Sequence, residues 1–241
     1  MNTLTTQTLP FDAPGDHIVL IAGNGQRLLL DTGSPVTLGG ETVELLGHSH
    51  RLDGEMSQVD LGRLGELVGT RVDGLIGTDV LAQVPFTIDW GSRTVVFHAV
   101  PASADAVVSV SALDGVPEVE CRIAGRIVRA FVDTGAAVSF LASPWAGLPE
   151  PTGERHEFCL GPSGFEEFDT PLWRLPVECA KRFDATFGQL PIALQPILAK
   201  AGIEAVLGAD LWKQFQTGFD ISGGRLVLSS SDSPGSTWRS G

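Results

Sequence analysis

The chain is poor in cysteine and in positive charge. Its three cysteines, Cys121, Cys159 and Cys179, are odd in number and lack the spacing of metal or redox motifs. The sequence therefore predicts no metal site and no disulfide framework, and it favours a reducing, cytoplasmic compartment. Lysine and arginine total 16 against 29 acidic residues, a formal net charge of −13. This charge disfavours nucleic acid and anionic membrane surfaces as partners.

Long apolar segments are absent as well. No run of residues approaches the length of a membrane-spanning helix. Residues 1–10 have no basic start and no continuous apolar core, so they do not resemble a secretory signal. From these absences we expect no membrane partner and a cytoplasmic location.

The chain does contain enough apolar residues to form a sizeable core. Of its 241 residues, 43% are hydrophobic, so folding requires neither a metal ion nor a disulfide. The 29 glycines and 15 prolines separate short runs that are rich in Val, Ile, Leu and Phe. Short apolar runs bounded by turn residues are typical of strands, so the sequence predicts a mostly β fold.

One short pattern occurs twice. Residues 28–34 read Leu-Leu-Leu-Asp-Thr-Gly-Ser, and residues 130–136 read Ala-Phe-Val-Asp-Thr-Gly-Ala. In each copy an apolar run typical of a buried strand leads an aspartate, Asp31 or Asp133, into a glycine-containing turn. A carboxylate at the end of a core strand is costly without a compensating group. The repetition therefore suggests that the two aspartates are partners of each other.

A second pattern repeats downstream of the first. Residues 75–77 read Leu-Ile-Gly and residues 206–208 read Val-Leu-Gly, 131 positions apart, whereas the two aspartates are 102 positions apart. The second copy therefore has 29 more residues between its acidic turn and its apolar-Gly segment. Such self-similarity indicates an internal duplication. We divide the chain into an N-terminal half, residues 1–102, and a C-terminal half, residues 103–229.

Two segments lie outside the shared pattern. Residues 188–202 have apolar side chains at helical spacing, and Gly202 suits the end of a helix, so we expect a helical insertion in the second half. Residues 230–241 are rich in serine and glycine and are predicted to form a disordered tail.

These motifs resemble the aspartic protease family, whose members carry one Asp-Thr/Ser-Gly and one apolar-apolar-Gly segment per lobe or subunit. The resemblance covers residues 16–229 and implies a mostly β, bilobal fold with two pseudo-twofold-related, β-barrel-like halves and a cleft between them. The length of each half and the Asp-Thr-Gly-Ala variant are closer to the retroviral type than to pepsin. The chain is similar to two retropepsin-like units fused into one polypeptide. It contains no tyrosine, so the flap tyrosine of the pepsin branch is absent.

The resemblance assigns the chemistry to Asp31 and Asp133. Two carboxyl groups within hydrogen-bonding reach cannot both be charged at little cost, so such a pair holds one proton over a wide pH range. In the family, the ionised partner takes a proton from a water molecule while the protonated partner polarises the peptide carbonyl. No cofactor and no metal are implied.

Six residues complete the two motifs: Thr32, Gly33, Ser34, Thr134, Gly135 and Ala136. In the family the glycines let the two turns approach closely, and the threonine hydroxyls bond across to the other half. Ser34 matches a residue whose hydroxyl can donate to the neighbouring carboxylate, whereas Ala136 cannot. Since a lost donor raises the pKa of a carboxyl group, we expect a pH optimum less acidic than that of pepsin-like enzymes.

The family also has a flap, a hairpin that closes over the substrate. Its position in the first half corresponds to residues 48–60. Residues 156–168 have a clearer hairpin pattern around a Gly-Pro-Ser-Gly turn and are the stronger candidate for a mobile cover. The histidines at positions 17, 98 and 156 are isolated in the sequence, and no role is predicted for them.

The function expected from these residues is aspartic-type endopeptidase activity on a peptide or protein substrate. One chain supplies both aspartates, so we expect a monomer; an assembly in which each half pairs with the half of another chain, such as a domain-swapped dimer, is an alternative. A second alternative is a peptide-binding or interaction module that retains the fold with weak or no catalysis.

Overall fold

The computed structural model describes residues 6–45, 48–53, 59–161, 164–230 and 238–240. Strands dominate these residues, which confirms the expected mostly β composition. Within the described ranges, no helix is long and apolar enough to cross a membrane.

The first half contains nine strands and two α-helices within the residues described. In chain order they are β1 (Gln7–Asp12), β2 (Val19–Ile21), β3 (Arg27–Leu30), β4 (Leu38–Leu45), β5 (His48–Asp53), α1 (Leu61–Val68), β6 (Gly74–Ile76), α2 (Thr78–Leu81), β7 (Phe86–Asp89), β8 (Thr94–Phe97) and β9 (Ala99–Pro101).

The remaining elements, again among the described residues, follow after residue 102. They are β10 (Ala106–Ser109), β11 (Ser111–Leu113), β12 (Val116–Ile123), β13 (Arg126–Val132), β14 (Ser139–Leu141), β15 (Gly153–Gly161), β16 (Gly164–Cys179), β17 (Lys181–Gln189), α3 (Gln195–Ala201), β18 (Ala205–Leu207), α4 (Asp210–Gln214), β19 (Phe215–Asp220), β20 (Arg225–Ser230) and β21 (Trp238–Ser240).

Two large sheets contain most of these strands. One has the order β10-β20-β19-β7-β8-β1-β2-β3-β6-β4-β5, and the other has the order β11-β12-β13-β18-β14-β17-β16-β15. The first sheet combines strands from both halves of the chain. The largest cluster of buried apolar side chains likewise draws on both halves, including Phe86 and Phe97 from the first and Trp212 and Phe219 from the second.

The strands that lead into the two acidic turns pair in the same way. Residues 28–30 of β3 run parallel to residues 74–76 of β6, with Leu29 opposite Leu75. In the second half, Phe131 of β13 is opposite Val206 of β18 in the corresponding register. Leu29 and Phe131 are 102 positions apart, and Leu75 and Val206 are 131 positions apart. These are the same separations as those of the sequence repeats. Each acidic turn is therefore supported by the same local arrangement of strands.

The two halves join through an antiparallel pair formed by β7 and β19. Thr87 lies opposite Gly218, the residue 131 positions further along the chain, and Phe86 lies opposite Phe219. The Phe86 and Phe219 rings stack with centroids 4.7 Å apart and an interplanar angle of 6°. Because the ladder pairs Thr87 with its own repeat position, the two copies are related by a local twofold arrangement at this junction.

The predicted hairpin at residues 156–168 is present. Strands β15 and β16 pair antiparallel from Gly153 opposite Leu172 to Gly161 opposite Gly164, and we call residues 153–172 the covering hairpin. In the first half, β4 and β5 also form a hairpin. The flap expected there at residues 48–60 falls partly on residues 54–58, which lie outside the described residues.

The helix expected within residues 188–202 is α3, which ends at Gly202 in the left-handed conformation, with φ 72°. It is not an addition to the second half, because α1 precedes β6 as α3 precedes β18, and α1 ends at Gly69 with φ 82°. The extra length instead lies in the long strands β15, β16 and β17. The tail prediction also fails in part, because β21 pairs with β9.

Candidate active site

The strand ends hold the backbone of both aspartates in place. The Asp31 N–H donates to the Ile76 carbonyl at 3.0 Å, and the Asp133 N–H donates to the Leu207 carbonyl at 2.9 Å. Each carboxyl group then accepts hydrogen bonds within its own turn. The N–H groups of Gly33 and Ser34 donate to Asp31 Oδ1 at 2.9 and 3.1 Å. In the second turn, the N–H of Gly135 donates to Asp133 Oδ1 at 2.8 Å.

Thr32 and Thr134 connect the two turns reciprocally. The Thr32 N–H donates to Thr134 Oγ1 at 2.9 Å, and the Thr134 N–H donates to Thr32 Oγ1 at 3.0 Å. Each hydroxyl then donates across to the other half, Thr32 to the Val132 carbonyl at 2.7 Å and Thr134 to the Leu30 carbonyl at 2.8 Å. Both threonines are fully buried. The four bonds satisfy buried groups that would otherwise destabilise the junction.

The two glycines bring the carboxyl groups to the junction. A methyl group built on Gly33 would lie 2.4 Å from Asp133 Cγ, and one on Gly135 would lie 2.7 Å from Asp31 Oδ1. Neither distance is compatible with a side chain larger than hydrogen. Asp31 and Asp133 therefore each lie against the opposite turn, as the sequence pattern predicts.

Burial raises the pKa of both aspartates, and their proximity couples the two titrations. Burial, followed by the charge of Asp133 and a hydrogen bond to it, raises the pKa of Asp31 well above its ordinary value. Burial also raises the pKa of Asp133, although the hydrogen bond with Asp31 and backbone N–H donors oppose this change. The two carboxyl groups therefore hold one proton between them over a range of pH.

The predicted role of the Ser34 hydroxyl is wrong. Ser34 Oγ donates to the Val36 carbonyl at 2.7 Å instead of to a carboxylate. The difference between Ser34 and Ala136 therefore does not set the pKa of the aspartates. Burial is the main reason that both pKa values are raised.

A cavity of about 470 Å³ opens above Asp31 and Asp133. Its walls are mostly apolar and include matched residues from the two repeats, Leu29 with Phe131 and Leu75 with Val206. Such a volume and lining are typical of a ligand-binding pocket. The lining also includes His17, Glu157, Phe158 and Phe165.

The covering hairpin reaches across this cavity to the first half. Phe158 and Phe165 pack against the apolar cluster that contains Leu29 and Leu64. Arg63 of α1 also forms an ion pair with Glu167 of the hairpin. These contacts place a hairpin from the second half over a wall of the first.

His17 is a buried residue of the site that the sequence did not identify. Its Nδ1 lies 2.9 Å from the Gly135 carbonyl, and its ring centroid lies 5.2 Å from that of Phe158. A carbonyl can only accept, so Nδ1 carries the proton of a neutral ring. Burial lowers the pKa of His17 to about 4. His17 lies in the connection between β1 and β2, which pair Asp12 with Val19.

Glu157 is the second unpredicted residue. Its side chain is 4% exposed and lines the cavity. Arg155 Nε lies 2.5 Å from Glu157 Oε1, so the two side chains form an ion pair at the edge of the cavity. Burial raises the pKa of Glu157, and the charge of Arg155 opposes that change.

Within the described part of the chain, no group of three or more His, Cys, Asp or Glu side chains could hold a metal ion. No protein-family model matches this sequence, and no curated protein matches it. The interpretation of the site therefore depends on its own residues and their geometry.

Proposed function

We propose that the chain is an aspartic endopeptidase with a bilobal, acid-protease-like fold. The observation that carries the proposal is the reciprocal bonding of Thr32 and Thr134, which holds Asp31 and Asp133 against each other at the floor of a covered cavity. The matched registers of the two strand pairs and the Thr87–Gly218 pairing support a pseudo-twofold relation between the halves.

A pair that shares one proton contains one acid and one base, and in the proposed mechanism the proton is on Asp31. Asp133, the ionised member, accepts a proton from a water molecule, whose oxygen attacks the carbonyl carbon of the scissile peptide bond. Asp31, the protonated member, donates its proton to the carbonyl oxygen. The tetrahedral intermediate then collapses as the proton acquired by Asp133 passes to the amide nitrogen and the C–N bond breaks. Asp31 recovers a proton from the hydroxyl group of the intermediate, which restores the starting state.

The substrate class follows from the cavity. Its walls are apolar on both sides of the acids, and the covering hairpin lies above them. A peptide bound in an extended conformation exposes its scissile carbonyl to the acids and its side chains to these walls. One chain supplies both aspartates and both threonines, so no second copy is required for the site. Sedimentation equilibrium distinguishes a monomer from the domain-swapped alternative.

The test replaces either acid by its neutral isostere. Cleavage of a mixed peptide library is followed by mass spectrometry at several pH values for the wild type, Asp31→Asn and Asp133→Asn. Loss of one acid–base partner should lower turnover by about 10²–10⁴-fold. Asp12→Asn is the matched control because Asp12 is an exposed aspartate paired with Arg27 on the surface.

Three results would bear on this proposal. Unchanged turnover in both substituted proteins, with circular dichroism showing a retained fold, would refute the assignment. Wild-type protein that binds a peptide-mimicking aspartic protease inhibitor without cleaving any peptide would instead favour the peptide-binding alternative. Inhibition of turnover by the same compound would support the endopeptidase.

A further inference from the structure

His17, from the first half of the chain, supports the acidic turn of the second half. Its Nδ1 donates to the Gly135 carbonyl at 2.9 Å, its residue is 5% exposed, and its ring packs against that of Phe158. Because the imidazole is buried, the carbonyl has a fixed partner there in place of exchanging water. His17 therefore holds the carbonyl side of the peptide group that joins Gly135 to Ala136.

The N–H side of the same peptide group serves Asp133. The Ala136 N–H lies 3.2 Å from the Asp133 carbonyl oxygen, and it is one of the backbone donors that lower the pKa of the Asp133 carboxyl group. An amide whose oxygen accepts a hydrogen bond becomes a stronger donor at its N–H, because linked hydrogen bonds polarise one another. His17 is thus connected to the Asp133 carboxyl group through a single peptide group.

The repeat position of His17 in the second half is a residue that cannot donate. In the first half, Val19 lies opposite Leu29 and two residues after His17. In the second half, the residue opposite the repeat position of Leu29 is Glu118, and two residues before it is Val116. A valine side chain has no N–H or O–H group, so it cannot give the first acidic turn an equivalent hydrogen bond.

The chain at Val116 does pass close to the first acidic turn. A methyl group built on Gly115 would lie 3.6 Å from Pro35 Cβ and 3.2 Å from Thr78 Oγ1. The Thr78 N–H in turn donates to the Ser34 carbonyl at 2.9 Å. The twofold arrangement therefore places a histidine beside one acidic turn and a valine near the other.

We propose that His17 is a positioning residue that makes Asp133, rather than Asp31, the ionised member of the pair. It does so by holding the Gly135–Ala136 peptide group with its N–H directed at Asp133. The inference rests on the proposed function for the use of the two acids as a catalytic pair with Asp133 as the base. When the same acid is always ionised, water and the peptide carbonyl have one productive arrangement, whereas equivalent acids would divide the protein between two.

Other charges surround the two residues and have to stay constant in a test. Those that act on His17 or Asp133, or line the same cavity, are Asp16, Asp31, Arg155 and Glu157. Removal of the imidazole also removes a group that titrates. The comparison therefore uses two neutral replacements of His17 that differ in whether they donate a hydrogen bond.

Carbon-13 NMR can titrate each aspartate without its partner. In Asp31→Asn protein with labelled aspartate carboxyl carbons, Asp133 is the remaining acid of the pair, and its signal is the one lost when Asp133→Asn is added. It is titrated in combination with His17→Phe and with His17→Gln. Phenylalanine keeps a ring against Phe158 without a donor, whereas glutamine keeps a donor. The matched control is the same series in Asp133→Asn protein, where Asp31 is titrated.

We expect the acid dissociation constant of Asp133 to be about 2–4-fold lower with His17→Phe than with His17→Gln, because linked hydrogen bonds strengthen one another by about 10–30%. The dissociation constant of Asp31 should be the same with both replacements. In protein with both acids, the acid limb of the kcat/KM profile for peptide cleavage reports ionisation of the base. This limb should lie at higher pH in His17→Phe than in His17→Gln.

Two results would overturn the inference. The first is an equal dissociation constant of Asp133 in the two His17 variants, with circular dichroism showing a retained fold. The second is an equal change at Asp31, which would indicate general repacking of the site. If His17→Phe does not fold, His17→Leu provides the same comparison without a donor. Absent peptide turnover in the wild type would refute the proposed function, and it is distinguishable because the NMR titration needs no turnover.

Discussion

Replacement of His17 by glutamine should remove a pH dependence of stability that burial gives to the wild type. Burial lowers the pKa of His17 from 6.5 to about 4. Between these values the unfolded chain binds a proton that the folded chain does not, so stability falls as the pH is lowered. The contribution is fully present above pH 6.5 and is lost progressively as the pH falls to about 4. The difference between the two pKa values corresponds to about 3 kcal/mol of unfolding free energy.

Urea unfolding, followed by the fluorescence of the five tryptophans, measures this effect at intervals between pH 4 and pH 7.5. Glutamine is neutral throughout and can still donate to the Gly135 carbonyl. The quantity to compare is the unfolding free energy of the wild type minus that of His17→Gln at each pH. The aspartates of the site titrate in both proteins with the opposite sign, because a raised carboxyl pKa weakens stability as the pH increases. Their contribution therefore cancels in the comparison.

His156→Gln is a control with the opposite expected sign. His156 is exposed, and the hydrogen bonds that its ring donates to Asp169 and then to Glu167 raise its pKa, so its contribution is present at low pH and is lost as the pH rises through the raised pKa. Equal dependence on pH in the wild type and in His17→Gln, between pH 4 and pH 6.5, would refute the assignment of a neutral, buried imidazole at position 17.

Two further predictions concern the junction of the turns. Thr32→Val or Thr134→Val leaves buried backbone partners unpaired and should lower the unfolding free energy by about 2–5 kcal/mol. Thr→Ser at the same positions keeps the hydroxyl group and should cost less. Equal losses for Val and Ser in urea unfolding would contradict the hydrogen bonds described. Gly33→Ala and Gly135→Ala should abolish peptide turnover because the new methyl group would collide with the opposite carboxyl group. Gly23→Ala should have no such effect, because nothing lies within 4 Å of the added methyl, and retained turnover in Gly135→Ala would count against the proposed site.

Local patterns in the sequence were sufficient to predict the parts of the site that repeat. The apolar runs before Asp31 and Asp133 have the composition of buried strands, and their glycine-containing turns fix where each aspartate emerges. The repetition of the motif, together with the cost of burying a lone carboxylate, also predicted that the two aspartates would be partners of each other. The hairpin at residues 156–168 was also predicted from a local pattern, because turn residues separate two alternating segments there.

The parts of the site that do not repeat could not be predicted in this way. His17 and Glu157 are distant from both motifs in the sequence. His17 reaches the cavity through its contact with the Gly135 carbonyl, and Glu157 reaches it on the covering hairpin, which packs on the first half. The Ser34 hydroxyl illustrates a different limit, since its residue type allows several acceptors and the local backbone offers the Val36 carbonyl. The relation between α1 and α3 was missed because their sequences share little beyond the glycine that ends each helix.

The matched but unequal walls of the cavity have a consequence for the direction in which the proposed peptide ligand binds. Leu29 and Phe131 occupy corresponding positions, yet each is encoded separately. In a dimer of identical subunits, one substitution alters both walls at once, and a ligand can enter in either of two equivalent directions. Here a mutation can reshape one wall while its counterpart stays as it was. For the peptide ligand that we propose, the two walls would meet the amino-terminal and carboxyl-terminal sides separately, and evolution can adjust each wall independently.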